Sequence, residues 1–275
     1  MKSKIASIKK TFAVSGILLL LIAMDSCKKD EIFTTGTVKE FSLQATSNGA
    51  TYAIRVGLPA NYNPSGEKYA TIYVLDGKEI FGYVSNRCQE ISDQYALKNV
   101  LVVSIGYGRD RSIDYTPTKM SSVTGGAPQF LNFIETQLIP KMEHDFQADT
   151  NRESRVILGH SYGGLFGEYA FCVRNRVFSN YIMLSPSLWF NNYIPLQMEK
   201  ENRANNKNEK QLVFLGIGEK EESDRMLAPF NSLYESLQSF YTNISLAKNI
   251  ENNTSHMSSR SPNIVKGLIY YFLNR

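Results

Sequence analysis

Arg155-Val156-Ile157-Leu158-Gly159-His160-Ser161-Tyr162-Gly163-Gly164-Leu165-Phe166 is the stretch from which the rest of the chain can be read. Val156 to Leu158 read as a buried strand, the glycines mark a sharp turn, and Leu165 to Val173 continue at helical spacing. Gly159 to Gly163 fit G-x-S-x-G, in which small residues flank a serine on a strained strand-to-helix turn that lifts its hydroxyl above a sheet. A Cβ at either glycine would collide with the folded-back chain. The bare pattern is common; the strand before it and the helix after it give it weight.

Working outward, strands and helices alternate on both sides of this unit. Val38, Phe41 and Leu43, then Tyr52, Ile54 and Val56, with Ser47-Asn48-Gly49 between them, predict a hairpin at a sheet edge. Thr71 to Leu75 is a short apolar run expected of a central strand, and it ends at Asp76-Gly77-Lys78. A helix over 79–97 and a strand over 100–105 follow. The stretch 106–126 reads as a long polar loop, and loops of that length are usually functional or disordered. A helix over 129–146, the serine unit, a strand at 181–184 running into Ser185-Pro186-Ser187-Leu188-Trp189, and a polar, solvent-facing segment 194–210 come next. A strand over 212–217, a helix over 224–240, a strand over 244–247, a loop over 249–262 and a helix over 264–274 complete the chain. This alternation implies an α/β fold with a mostly parallel central sheet and helices on both faces.

A length of 275 residues, 43% apolar and 20% charged, is enough for one large core, and one folded domain is expected. The formal charge of +4 is concentrated at the start, where Lys2, Lys4, Lys9 and Lys10 face a single acid, Asp25; beyond residue 26 there are 26 basic and 25 acidic side chains. Nothing in that balance favours nucleic acid. The basic start and the apolar run Thr11 to Met24 read as an export signal. Met24-Asp25-Ser26-Cys27 resembles the lipobox of bacterial lipoproteins, although Asp25 is unusual there, and Lys28-Lys29-Asp30-Glu31 looks like the tag of surface-directed lipoproteins. These likenesses imply a signal peptide over 1–26, a tether over 27–36, a domain over 37–275, and an exported protein held at the bacterial outer membrane through lipid on Cys27. An uncleaved N-terminal anchor is the competing reading.

Of the remaining cysteines, Cys172 reads as a packed thiol on the helix after the serine. A disulfide to Cys88 would require both helices on one face of the sheet. No cysteine and histidine cluster has zinc spacing, and no metal or organic cofactor is implied.

A serine hydroxyl is a weak nucleophile at neutral pH and needs a base, which needs an acceptor to fix its tautomer. Three histidines are available. His160 sits inside the turn, where its ring is sent away from Ser161; His144 lies on a charged helix face; His256 lies past the last strands, just before the closing helix. His256 is the candidate base. Glu219, Glu221, Glu222 and Asp224 compete for the acid after the strand ending at Ile217, and spacing leaves that choice open. An oxyanion would be held by the backbone N–H of Tyr162 and by that of Gly77 or Lys78.

Six ordered motifs together resemble the esterase D-like branch of the α/β-hydrolases, and within it the siderophore trilactone esterases of the enterobactin and bacillibactin type. They are Tyr73-Val74-Leu75-Asp76-Gly77, Asp114-Tyr115-Thr116-Pro117, the Gly159-to-Phe166 unit, Ser185-Pro186-Ser187-Leu188-Trp189, Gly218-x-x-Glu221, and Ser255-His256 before the final helix. The resemblance implies an α/β-hydrolase fold and a serine ester hydrolase acting through an acyl-enzyme. It implies Ser161 as nucleophile, His256 as base, Glu221 as the acid, and Lys78 N–H with Tyr162 N–H as the oxyanion donors. Asp76, Gly77, Arg111 and Trp189 are expected around the substrate, a small-molecule or glycan ester. The sequence departs from trilactone esterases in lacking an obvious basic set for an anionic chelate beyond Arg109, Arg111 and Lys78. Two rivals accompany this reading: a surface lipoprotein that keeps the fold only to bind, and an acyltransferase that hands the acyl group to an alcohol. The sequence leaves the oligomeric state open.

Overall fold

A computed structural model describes residues 30–275. The expected signal peptide and the expected lipidation site, Cys27, lie outside the described residues. Eight strands form one sheet in the order β1-β2-β4-β3-β5-β6-β7-β8. β1 (Thr37–Gln44) and β2 (Thr51–Leu58) form the expected edge hairpin, and β2 runs antiparallel to β4 (Leu101–Ile105). From β4 through β3 (Thr71–Val74), β5 (Arg155–His160), β6 (Asn180–Leu184), β7 (Gln211–Gly218) and β8 (Ile244–Glu251), every pairing is parallel. β3 to β7 are buried almost throughout, as strands covered on both faces must be.

Two apolar layers flank the sheet. α1 (Gly77–Tyr95) and α8 (Arg260–Asn274) bury Ile80, Val84, Cys88, Ile264 and Leu268 on one face. The other face carries α3 (Ala127–Phe133), continued by a π turn and α4 (Ile139–Asp145), then α5 (Tyr162–Val173), α6 (Phe190–Asn206) and α7 (Ala228–Phe240). Cys88 and Cys172 belong to opposite layers, and both are free, buried thiols.

Two segments differ from the sequence expectation. The stretch 106–126 contains a short helix, α2 (Arg111–Tyr115), and buries Asp114, Tyr115 and Thr116, because Arg109 and the Tyr52 hydroxyl satisfy the Asp114 carboxylate. Residues 194–206 are part of α6, and this helix is not wholly solvent-facing. Glu199 is buried there, accepting bonds from Arg203, Ser236 and Tyr241, and Asn206 donates to the carbonyls of Phe171 and Cys172.

The order of strands places the site. From β3 the chain crosses to β4 on one side, then returns to β5 on the other, so the connections after β3 and β5 diverge. Such a switch point opens a crevice at the carboxyl ends of the two strands. α1 and α5 both begin there.

Candidate active site

β5 ends at His160, and Ser161 turns the chain into α5 with φ 60° and ψ −116°, a conformation costly for any side-chain-bearing residue. Neighbours fix it. Ser161 N–H donates to Leu184 O at 2.9 Å, and Ser187 N–H donates back to Ser161 O at 3.2 Å. A Cβ on Gly159 would stand 2.4 Å from the Gly163 carbonyl, and one on Gly164 would stand 2.9 Å from Leu184 O, which is why the turn is built from glycine.

Glu221 and His256, the expected acid and base, arrive on two adjoining loops. Glu219 N–H donates to Glu251 O, Lys220 N–H donates to Thr254 O, and Asn253 N–H donates to the Glu219 carboxylate, so the turn after β7 and the turn after β8 are tied together. Glu221 is thereby sunk beneath His256, its side chain 1% exposed, and its Oε2 lies 2.7 Å from His256 Nδ1. Its Oε1 accepts from the Ser185 hydroxyl at 2.6 Å and from Gly218 N–H at 2.9 Å. Burial alone would raise the Glu221 pKa; the bonds from His256, Ser185 and Gly218 outweigh it and hold the carboxyl below its ordinary value. An ionised Glu221 requires the proton of His256 on Nδ1, which leaves Nε2 with a free lone pair.

Ser161, His256 and Glu221 line one open cavity of about 390 Å³, with Ser187, Trp189, Lys220, Glu222, Arg225, Met226 and Ser255. No hydrogen bond joins the Ser161 hydroxyl to the His256 ring in this structure; Ser161 Oγ instead has Ser187 Oγ at 3.4 Å. Such bonds are commonly loose before substrate binds. A larger cavity, about 630 Å³, lies over β1, β2 and β4 and takes in Lys78 and Tyr107. Size does not make it the reactive site, because neither Ser161 nor His256 lines it.

Tyr162 and Lys78 occupy the first turns of α5 and α1, where backbone N–H groups lack intrahelical acceptors, and neither N–H is committed elsewhere among the described residues. The two helix starts adjoin, since a Cβ on Gly163 would touch Leu75 Cβ and Asp76 Oδ2 at 3.4 Å. Both helix dipoles therefore favour negative charge in this crevice.

A family model described as putative esterase matches residues 45–263. The chain belongs to this esterase family. It is 28% identical over 232 residues to the ferri-bacillibactin esterase BesA of Bacillus subtilis (strain 168), covering 74% of this chain and 78% of the relative. The BES protein from Bacillus cereus superposes with a TM-score of 0.77 at 28% identity, over 88% of this chain and 96% of the other. An IroE-like serine hydrolase from Shewanella oneidensis gives 0.78 at 25% identity, over 86% and 80%. The protein is an α/β-hydrolase and a carboxylic-ester hydrolase.

Within this esterase, Asp76, Gly77 and Arg111 are turned to another task than lining the cavity beside Ser161. Asp76 is buried with φ 53°, and its carboxylate receives both Arg111 Nε at 2.8 Å and Arg111 Nη2 at 2.7 Å, plus the Tyr107 hydroxyl at 2.9 Å. Arg111 also donates to His160 O at 3.3 Å, tying the turn after β3 to the turn after β5. Gly77 is packed against Ser104, where a Cβ would stand 2.0 Å from the hydroxyl. Opposite charges that sequence alone lets face a ligand neutralise each other here. Trp189 does line the cavity, and Arg225 stacks on it with 3.7 Å between guanidinium carbon and ring centre. Sequence reading missed Lys220 and Arg225, which resemble a solvated charged turn; their one signal is that they bracket Glu221.

His144 is exposed beside Asp145. His160 is buried, and its Nε2–H donates to the His256 carbonyl at 2.9 Å. Burial first, and the neighbouring His256 second, push the His160 pKa down to about 3. It stays neutral at any ordinary pH.

Proposed function

We propose that this esterase works through Ser161, His256 and Glu221, with the N–H groups of Tyr162 and Lys78 as oxyanion donors. Ser161 Oγ attacks the ester carbonyl carbon while His256 Nε2 takes the hydroxyl proton, and Glu221 stabilises the imidazolium that forms. The carbonyl oxygen becomes an oxyanion between the two helix starts. His256 returns the proton to the alkoxide as the carbon–oxygen bond breaks, releasing the alcohol and leaving an acyl-Ser161. Water, deprotonated by the same imidazole, then releases the acid and restores Ser161.

The observation that carries this reading is the 2.7 Å Glu221–His256 contact opening onto the cavity that holds Ser161 in its strained turn. For the substrate we assign a siderophore trilactone, supported by the likeness to a ferri-bacillibactin esterase. Acylated glycans are the comparison arm of the substrate screen. Ser161→Ala should abolish turnover of a short-chain nitrophenyl ester and rapid labelling by a fluorophosphonate while leaving the circular dichroism spectrum unchanged; turnover at the wild-type rate removes Ser161 as nucleophile. Product analysis with added alcohols distinguishes hydrolysis from acyl transfer. We further propose lipid on Cys27, supported by the sequence around it; Cys27→Ser should abolish incorporation of labelled palmitate, and undiminished labelling refutes that.

A further inference from the structure

The segment that follows Cys27 is bound to the domain almost at once. Asp30, its side chain 10% exposed, accepts from Gly82 N–H at 2.9 Å, from Tyr83 N–H at 3.3 Å and from Arg55 Nη2 at 3.3 Å. Asn86 holds the next residues: its amide donates to Ile32 O at 3.0 Å, and its Oδ1 accepts from Thr34 N–H at 3.3 Å. Phe33 packs edge-on against Phe81, and a Cβ on Gly82 would overlap the Glu31 carbonyl, so α1 is shaped to receive this strap. The contacts have a direction. From Thr34 back to Asp30 they step along α1 from Asn86 to Gly82, towards the helix start at Gly77. Asp30 and Glu31 end beside Glu79 and Arg260, and the helices carrying these two both begin at the carboxyl ends of the strands, where the crevice opens. Only Lys28 and Lys29 separate Cys27 from Asp30, a reach of at most about 11 Å. On the strap itself, Ile32 is 80% exposed, the most exposed large apolar side chain among the described residues. An apolar side chain so near an acyl chain suits the headgroup boundary of a bilayer.

We propose that residues 30–34 are an orienting strap that holds the crevice end of the domain at the bilayer, so that the surface around Ile32, Glu79 and Arg260 faces lipid headgroups. This rests on lipid at Cys27, and it names the surface that the lipid brings to the membrane. A tether free over its whole length would let the domain tumble. One bound from Asp30 onward keeps the opposite end of the sheet, a strand length or roughly 15–25 Å away, out of its reach.

The chain has a single tryptophan, Trp189, and it stands at the crevice. Energy transfer from it to dansyl-phosphatidylethanolamine, in phosphatidylcholine vesicles carrying the lipidated protein, reads how near the crevice end lies to the membrane. The Trp189→Phe/Lys98→Trp variant moves the donor to the other end, since Lys98 is exposed just before β4. Transfer should be several-fold stronger from the wild-type protein than from this variant. A long Gly/Ser spacer inserted between Lys29 and Asp30 of both proteins should remove that difference. Asp30→Ala/Asn86→Ala, which unfastens the strap, should reduce it, with circular dichroism checking that the fold survives. Incorporation of labelled palmitate and flotation with the vesicles are read first. A chain that takes no lipid overturns the membrane contact. A floating protein with equal transfer from both ends, or with a difference that the spacer leaves intact, overturns the strap and leaves the anchor standing.

Discussion

Glu221 and Glu168 are both buried acids, the first beneath His256 after β7 and the second farther along the helix that Ser161 begins. Glu221 receives the His256 Nδ1–H, the Ser185 hydroxyl and Gly218 N–H, and these donors hold its pKa below the ordinary carboxylate value despite its burial. Glu168 has a thiol, Cys172 Sγ at 2.9 Å, on Oε1 and no partner on Oε2, while Glu199 adds repulsion. Burial therefore dominates and pushes its pKa up to about 8. Depth is similar, and the donors decide: one carboxyl is ionised at neutral pH and able to support an imidazolium, and the other is neutral packing.

The largest effect that would break this comparison is on rate. Glu221→Gln removes the charge behind His256 and should lower kcat about 10³-fold or more, with KM little changed. A variant as active as wild type would show that Ser161 and His256 work without the acid. Next comes Glu168→Gln, which should stabilise the fold above neutral pH by on the order of a few kcal/mol. The sign follows from the direction of the shift: the folded protein holds a proton on Glu168 that the unfolded chain has released, so wild-type stability falls as pH rises from 4.5 towards 8. Urea unfolding at pH 5 and pH 8 should show the gain growing with pH; equal gains at both would mean Glu168 is already ionised in the fold. Glu221 runs the other way. Its depressed pKa gives stability that is fully present above its unfolded value and is lost as pH falls through the lower folded value, so the roughly 1–3 kcal/mol cost of Glu221→Gln at pH 7 should vanish in acid.

What could be read from the chain follows the same division. The elbow was legible because glycines 159 and 164 answer to backbone crowding that no other residue satisfies, whereas at Gly163, where a collision was also expected, a Cβ would make only ordinary contacts from 3.4 Å outward. The mostly parallel sheet was legible from alternation, since buried parallel strands are continuous apolar runs, whereas the order of the strands was not. Glu221 was selected by likeness to a family, because four acids in one turn differ only in which meets donors from elsewhere. Asp76 and Arg111 read as substrate contacts because sequence shows two charges and hides that they bond each other. α6 read as a solvated segment because the partners of Glu199, on α7 and at Tyr241 after it, lie 37 and 42 residues away. Polar residues are legible where the backbone dictates them and illegible where a distant side chain does.

The smallest of these effects concerns His160, which stands next to the proposed nucleophile with its ring turned to a backbone carbonyl. Its ring lies 4.6 Å from that of His256, close enough that a charge on it would oppose the imidazolium required during turnover. Burial keeps it neutral, with a pKa of about 3, so it can serve as a fixed donor without that penalty. The acceptor it serves is the carbonyl of His256 itself, which Ser259 Oγ also reaches at 3.2 Å. Because one donor remains, losing the other should cost about 0.5–1.5 kcal/mol, or about two- to thirteenfold in kcat if the loop loosens before the transition state. His160→Phe should show that loss with the pH profile of kcat/KM unmoved, and His160→Gln, if its amide reaches the same carbonyl, should recover part of it. A displaced pH profile in His160→Phe would mean that the buried ring carries charge during turnover, and Glu221 would then not be the group that alone balances His256.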